Sequence, residues 1–195
     1  MSDLKKEKIL SYIKKHLKPE RYKHTLGMLR IATSLARKYK VSQEKVVLAS
    51  LLHDIGKGLS NREMIKYVKK YKLGIGNIKN IIQFAPPLLH SYVSAHIAKT
   101  KFNIKDKQIL KAIALHTFGD KNMDNLSKII YLADAIAPDR RFPHVKMVRR
   151  KAERSLNAAL MDAMKYKLFH VLSNGKWLHP QAVKAWNWLL KNMGG

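Results

Sequence analysis

Apolar residues recur every three or four positions along almost the whole chain, and no run of useful length alternates apolar with polar. A period of 3.6 lays one stripe along a helix, whereas a period of 2 would cover one face of a strand. The chain is therefore held to an all-α fold, a helical bundle whose members bury their stripes against one another. Leu10, Ile13 and Leu17 mark a first helix, which Lys18-Pro19 ends because proline disfavours helical backbone in the residue before it. A second helix is expected from about Pro19 to Tyr39, with His24, Met28, Ile31 and Leu35 along one face. Ser42 suits the N-cap of a third, through Val46, Ala49, Ser50 and His53, and Asn61 that of a fourth carrying Met64, Ile65 and Val68. Leu73 to Asn77 reads as a loop, and Ala85-Pro-Pro87 breaks the short helix before it. Further helices are expected from Leu88 with His90, Ser94 and Ile97, from Asp106 with Ile109, Ile113 and His116, and around Leu126, Ile130 and Asp134 as far as Pro138. One long helix from about Val145 to Leu172 and a last one around Ala182 to Leu190 complete the pattern.

With 195 residues, one domain is expected. Its parts are an N-terminal helix over 1–18, a core over 19–144, and C-terminal helices over 145–195 that pack on the core. No stretch approaches the ~20 apolar residues that cross a membrane, and Met-Ser-Asp-Leu-Lys-Lys-Glu-Lys lacks the apolar region of a signal peptide. A cytoplasmic protein with no membrane partner is expected.

The polar residues that interrupt the stripes carry the chemistry. His24, His53-Asp54, His90, His116 and Asp134 each lie in or at the edge of an apolar helical pattern, where an imidazole or carboxylate is expensive to bury alone. The other histidines, His16, His96, His144, His170 and His179, have no such setting and read as surface or structural. Adjacent helical residues point about 100° apart, so His53 and Asp54 share a site only where a helix ends. Gly56 and Gly58 permit that end. A carboxylate at a helix C-terminus opposes the macrodipole and calls for a cation beside it. The sequence contains no cysteine, so any metal must be held by imidazole and carboxylate, a donor set that suits iron, manganese or zinc and does not choose among them. Four imidazoles and two carboxylates would serve two ions and metal-assisted hydrolysis of a phosphate ester or anhydride.

Lysine and arginine number 39 against 13 acidic residues, a net charge of +26. Spread over the polar faces of most helices, this is either a solvated basic surface or an attraction for anionic partners, nucleotide or RNA. There is no Arg-Gly tail and no aromatic-interleaved basic strand, so nucleic acid stays an open partner. Lys57 is either one more exposed lysine or a phosphate contact beside the metals. Arg140 is either the ion-pair partner of Asp134 or a second phosphate contact.

In that order on helices, His24, His53-Asp54 and Asp134 resemble the ligand series of the HD-domain metal-dependent phosphohydrolases. The stretches Arg21-Tyr-Lys-His-Thr-Leu26, His116-Thr-Phe-Gly119, Leu126 to Asp134 and Pro138-Asp-Arg-Arg-Phe-Pro143 narrow this to the YqeK-type symmetrical diadenosine tetraphosphate hydrolases. The similarity runs from about Pro19 to the C-terminus. The chain departs from the family at Ala137, where an acidic residue is usual, and at His144, where glycine is usual. The resemblance implies an HD-domain bundle with a di-iron centre on His24, His53, Asp54, His90, His116 and Asp134, Asp54 bridging the ions. It also implies a metal-activated hydroxide attacking phosphorus, and hydrolysis of diadenosine tetraphosphate to two ADP. From the residues themselves, catalytic roles are expected for Asp54 and Lys57, and substrate binding for Lys57 and Arg140, which would neutralise phosphate charge as it shifts to the leaving group. The alternatives are an HD phosphohydrolase of a nucleoside monophosphate or guanosine polyphosphate, and a non-enzymatic basic RNA- or ribosome-binding protein. Oligomers are compatible with either.

Overall fold

The computed structural model describes residues 3–192, so the first two residues of the predicted N-terminal segment and the last three of the C-terminal one lie outside the description. Among the described residues there are eleven α-helices, two short 3-10 turns and no strand. Helix α1 (Asp3–His16) buries Ile9 and Ile13. Helix α2 (Pro19–Lys38) starts with Pro19 in its first turn, where a missing N–H costs nothing. Helix α3 (Gln43–Leu52) is capped by Ser42, whose hydroxyl accepts the Lys45 N–H. A 3-10 turn over Ile55–Gly58 follows.

Helix α4 (Asn61–Lys70) is capped one residue earlier than the sequence reading had it. Ser60 and Glu63 form a reciprocal capping box, the Glu63 carboxylate accepting the Ser60 N–H at 2.7 Å while the Ser60 hydroxyl accepts the Glu63 N–H. Two amides are satisfied at once, which Asn61 as cap would not achieve. Helix α5 (Ile78–Phe84) ends at the Pro86–Leu88 turn, and α6 (Leu89–Lys101) and α7 (Lys107–Leu115, capped by Asp106) follow.

Helix α8 (Asn125–Ala135) is the axle of the bundle. Every residue from Leu126 to Ala135 is buried, and the helix packs against α2, α3, α7 and α10. A helix buried on all sides is one surrounded by others. The single helix expected from Val145 to Leu172 is instead two, α9 (Val145–Ala152) and α10 (Leu156–Ser173). Ser155 turns extended and caps α10 by accepting the Ala158 N–H. Buried Val148, Ala152 and Leu156 keep helical spacing across the break, so periodicity alone does not reveal it. The break lets α10 fold back on α8 and α9. Helix α11 (Pro180–Lys191) closes against α10, with the His179 ring nitrogen Nδ1 accepting the Gln181 N–H as its cap. His144, at the position where the family usually has glycine, takes a left-handed φ of 65° before α9, a conformation that costs a side chain energy and glycine almost none.

Candidate metal centre

Three helices point their C-termini at one place. His53 is the residue after α3, His116 the residue after α7, and Asp134 lies one residue before the end of α8. The negative ends of three helix dipoles favour a cation there. His90, in the first turn of α6, and His24, in α2, complete the ring. The turn after His53 brings Asp54 around, and Gly56 is what allows the fit. A Cβ on Gly56 would lie 2.5 Å from the His90 carbonyl oxygen, and its N–H donates to Ser94 Oγ at 2.9 Å. Thus Asp54 is bolted against the helix that carries His90. Gly27 acts similarly, since a Cβ there would meet Pro138 Cδ at 2.9 Å. The loop after α8 is thereby seated on α2, beside His24.

All six side chains are buried, none more than 5 % exposed. Each histidine has its Nδ1 occupied from behind. Nδ1 of His53 donates to the Ser50 carbonyl at 2.7 Å, that of His90 to Pro87 at 2.6 Å, and that of His116 to Ile113 at 2.7 Å. His24 Nδ1 donates to the Asp139 carboxylate at 2.9 Å. For His53, His90 and His116 these carbonyls fix the proton on Nδ1 and leave Nε2 as a lone pair facing inward, the tautomer a metal requires, whereas His24 Nε2 donates to Asp134 Oδ1 at 3.1 Å, a proton that a metal would replace. The Nε2 atoms of His90 and His116 lie 3.1 Å apart, and two lone pairs at that distance repel unless a cation or proton stands between them. His53 Nε2 and Asp54 Oδ1 are buried with no hydrogen-bond partner, which is costly for polar groups. Two overlapping triads, His24–His53–Asp134 and His53–Asp54–His116, have their donor atoms within 4.8 Å of one another. The donor set, its tautomers and its orphaned atoms all fit metal ions.

Asp54 faces both halves of this ring. Its Oδ2 is 3.5 Å from His53 Nε2, and its Oδ1 is 3.3 Å from His90 Nε2 and 3.4 Å from that of His116. Burial pushes its carboxyl upward, but His53, His116, His90 and Lys57 outweigh this and hold it well below the carboxylate range. Asp134 behaves likewise, with Lys167, His24 and Arg140 overcoming burial. Burial holds His53 neutral, at about 3, and lowers His90. Burial also pulls on His24, yet the hydrogen bonds to Asp134 and Asp139 raise it overall. Neutral His53 and His90 beside ionised carboxylates are in the states in which these groups coordinate, while His24 would give up its Nε2 proton to do so.

The structure brings all eight site residues expected from sequence to one cluster, of which Lys57, His90, His116, Asp134 and Arg140 line a cleft and His24, His53 and Asp54 lie buried beneath it. Lys57 Nζ donates to Asp54 Oδ2 at 2.8 Å. Arg140 pairs with Asp134 Oδ1 and donates Nε–H to the Asp134 carbonyl at 3.0 Å. Both line a cavity of about 520 Å3 whose floor includes His90, His116 and Asp134. Three contributors escaped the sequence reading. Asp139 was visible only as part of Pro138-Asp-Arg-Arg. Thr117, 3.3 Å from Nε2 of both His90 and His116, had only its place after His116 to mark it. Lys167 donates to Asp134 Oδ2 and to the His116 carbonyl, both at 3.3 Å, and lies 4.0 Å over the Tyr131 ring. The only local signal was its register, one turn beyond buried Ala163 and Met164 on the apolar stripe of α10.

The HD domain family model matches residues 21–139, which contain all six candidate ligands, Lys57 and Asp139. The chain is 35% identical over 183 residues to the protein of Halalkalibacterium halodurans named symmetrical bis(5'-nucleosyl)-tetraphosphatase, covering 94% of this chain and 96% of that one. It is 32% identical to the Bacillus subtilis protein of the same name, over 96% and 98% of the two chains. In three dimensions it matches the crystal structure of a predicted HD superfamily hydrolase involved in NAD metabolism from Clostridium acetobutylicum. That match has a TM-score of 0.89 and 35% identity, over 95% of this chain and 96% of that one.

Proposed function

The chain belongs to the HD domain family, and from that premise we propose that it hydrolyses diadenosine tetraphosphate symmetrically, to two ADP. Two metal ions would be held by His24, His53, Asp54, His90, His116 and Asp134. Support comes from the relatives' name, which covers nearly the full length, and from one geometric observation above the rest. Three imidazoles, those of His53, His90 and His116, turn Nε2 lone pairs towards the Asp54 carboxylate, and His53 Nε2 and Asp54 Oδ1 have no hydrogen-bond partner in the protein. Bound there, the ions supply Lewis-acid polarisation of a phosphate oxygen and a water acidic enough to act as nucleophile near neutral pH. Iron is the metal the family resemblance points to, and the same donors accept manganese or zinc.

The protein's own groups do the rest. The Nδ1 partners fix each ring plane, so the Nε2 atoms need no reorganisation on binding. Lys57, Arg140 and Lys167 each touch a ligand carboxylate and also line the cleft. Each can therefore turn a donor to the polyphosphate and offset charge as it moves to the departing ADP. Their side chains, about one-third exposed, have the freedom to do so. No helix among the described residues is long and apolar enough to cross a membrane. The basic surface would speed arrival of a polyanion.

The test pairs elemental analysis with a substrate panel of diadenosine tetraphosphate, nucleoside monophosphates and guanosine polyphosphates. Two metals per chain and ADP as sole product from diadenosine tetraphosphate are expected. AMP and ATP as main products overturn the symmetrical assignment. Full activity with one metal per chain overturns the dinuclear centre. Tight, salt-dependent RNA binding with no turnover points to a binding protein instead.

A further inference from the structure

A second chamber opens beside the proposed catalytic cleft. It encloses about 420 Å3, and Leu88, Thr117, Lys167 and Val171 belong to the walls of both. The linings differ in kind. The cleft over the centre carries Lys57, Arg140, Arg141 and Lys167. The second chamber shares Lys167, has Lys176 beside its mouth, and is otherwise aromatic and aliphatic. Trp177 and Phe84 face each other across it, ring centroids 6.4 Å apart and planes within 25°. Phe118 and His179 stack in its wall at 4.4 Å and 4°, and Trp177 meets the His179 ring edge-on. Phe84 is 55% exposed, a large apolar face that the fold itself leaves uncovered. His179 is 4% exposed. Its Nδ1 accepts the Gln181 N–H, so its proton lies on Nε2, and that donor is buried with no partner.

We propose that this chamber takes one adenosine end of the dinucleoside polyphosphate, its base stacked on Trp177 and Phe84, while Lys167 at the shared wall holds the polyphosphate where it passes to the metal centre. This rests on the functional reading given above. A substrate split at its middle carries a nucleoside on each side of the reacting phosphorus, so its site needs a pocket on each side of one centre. The cleft itself supplies one, where Phe142 and Tyr166 pair at 4.9 Å. The aromatic chamber adjoins it across the shared wall of Leu88, Thr117, Lys167 and Val171 and has a volume in the range of small-ligand pockets. An acceptor on a bound base would also relieve the unpaired His179 donor. Aromatic faces stack any base, so the chamber selects for two-headed nucleotides rather than for adenine.

The experiment uses the metal-loaded full chain. The KM for diadenosine tetraphosphate is compared with the inhibition constant of adenosine 5'-tetraphosphate, which has one base and can use the other pocket. Trp177→Ala should raise that KM about 5- to 100-fold, the span of base–aromatic stacking, with a much smaller change in the inhibition constant and in kcat. Phe84→Ala, at an exposed position that tolerates truncation, should act in the same direction. Trp177→Phe should restore most of the loss. Equal losses for the two ligands, no loss for either, or failure of Trp177→Phe to rescue overturns the chamber assignment while leaving the hydrolase reading intact. A wild-type protein that turns over no dinucleoside polyphosphate overturns the hydrolase reading itself, and this assignment with it.

Discussion

The imidazoles on the floor of the cleft and the cations around its rim address the same two aspartates, but they are held in different ways. On the floor, His24, His53, His90 and His116 are at most 5% exposed, and each has its second nitrogen fixed by a carbonyl or a carboxylate. Three of those partners are the carbonyl three residues back in the same turn, so the backbone itself sets the ring. On the rim, the side chains of Lys57, Arg140 and Lys167 are 28%, 32% and 30% exposed and hang from flexible stems. The floor is preorganised for a small ion with strict geometry. The rim can follow a long polyanion that changes shape as it reacts.

The largest way to break this contrast is to remove the carboxylate common to both. Asp54→Ala should leave the protein with no stoichiometric metal and lower turnover by roughly 10³-fold or more, given the several kcal/mol that metal charge stabilisation supplies. Metal per chain by elemental analysis, with initial rates on diadenosine tetraphosphate, checks it. Retention of two metals would show that Asp54 belongs to the rim. Next in size is Asp139→Asn. The carboxylate behind His24 is 51% exposed, so its loss should scarcely move the melting temperature. It should nonetheless weaken metal binding about 10- to 100-fold, as removal of a histidine's orienting partner does, read by competition with a chelator. An unchanged affinity would mean that packing, not Asp139, sets the His24 ring.

The smallest effect sharpens the rim. Arg140 makes two contacts to Asp134, one to the carboxylate and one to the carbonyl. Arg140→Ala should cost apo protein about 1 kcal/mol, a fall of roughly 2–4 °C in Tm for a chain of this size. Added metal should shrink the deficit, because the ion then neutralises Asp134. A deficit that persists at saturating metal would make Arg140 a structural residue and remove it from phosphate binding.

Much of the candidate site was legible in the sequence because its ligands violate a local rule. A histidine or aspartate at a position where helical spacing demands an apolar side chain is conspicuous, and His24, His53, Asp54, His90, His116 and Asp134 all occupy such positions. Lys167 breaks the same rule, since it continues the stripe of Leu156, Leu160, Ala163 and Met164 that α10 buries, but a lysine one turn past the last buried residue reads as the end of a stripe, and only the fold of α10 back onto α8 brings it to Asp134. That fold depends on the break at Ser155, which the uninterrupted spacing of Val148, Ala152 and Leu156 conceals. The cap of α4 was misplaced by one residue for a related reason. Ser60 and Asn61 are both good caps locally, and the Glu63 side chain reaching back to the Ser60 amide decides between them.

By itself, the sequence determined that the chain is all-helical, which faces of its helices are buried, and which polar groups are buried with them. These follow from periodicity and from the cost of burying a charge, both local to a few turns of chain. Only the tertiary structure decided that three helix C-termini converge on one point, that Asp139 stands behind His24, and that Thr117 and Lys167 sit where two chambers meet. It also decided that Phe84 and Trp177, 93 positions apart, face each other across one of those chambers. Such meetings depend on how helices pack in space, set by close approaches such as Gly56 against His90 and Gly27 against Pro138, and no spacing along the chain encodes them.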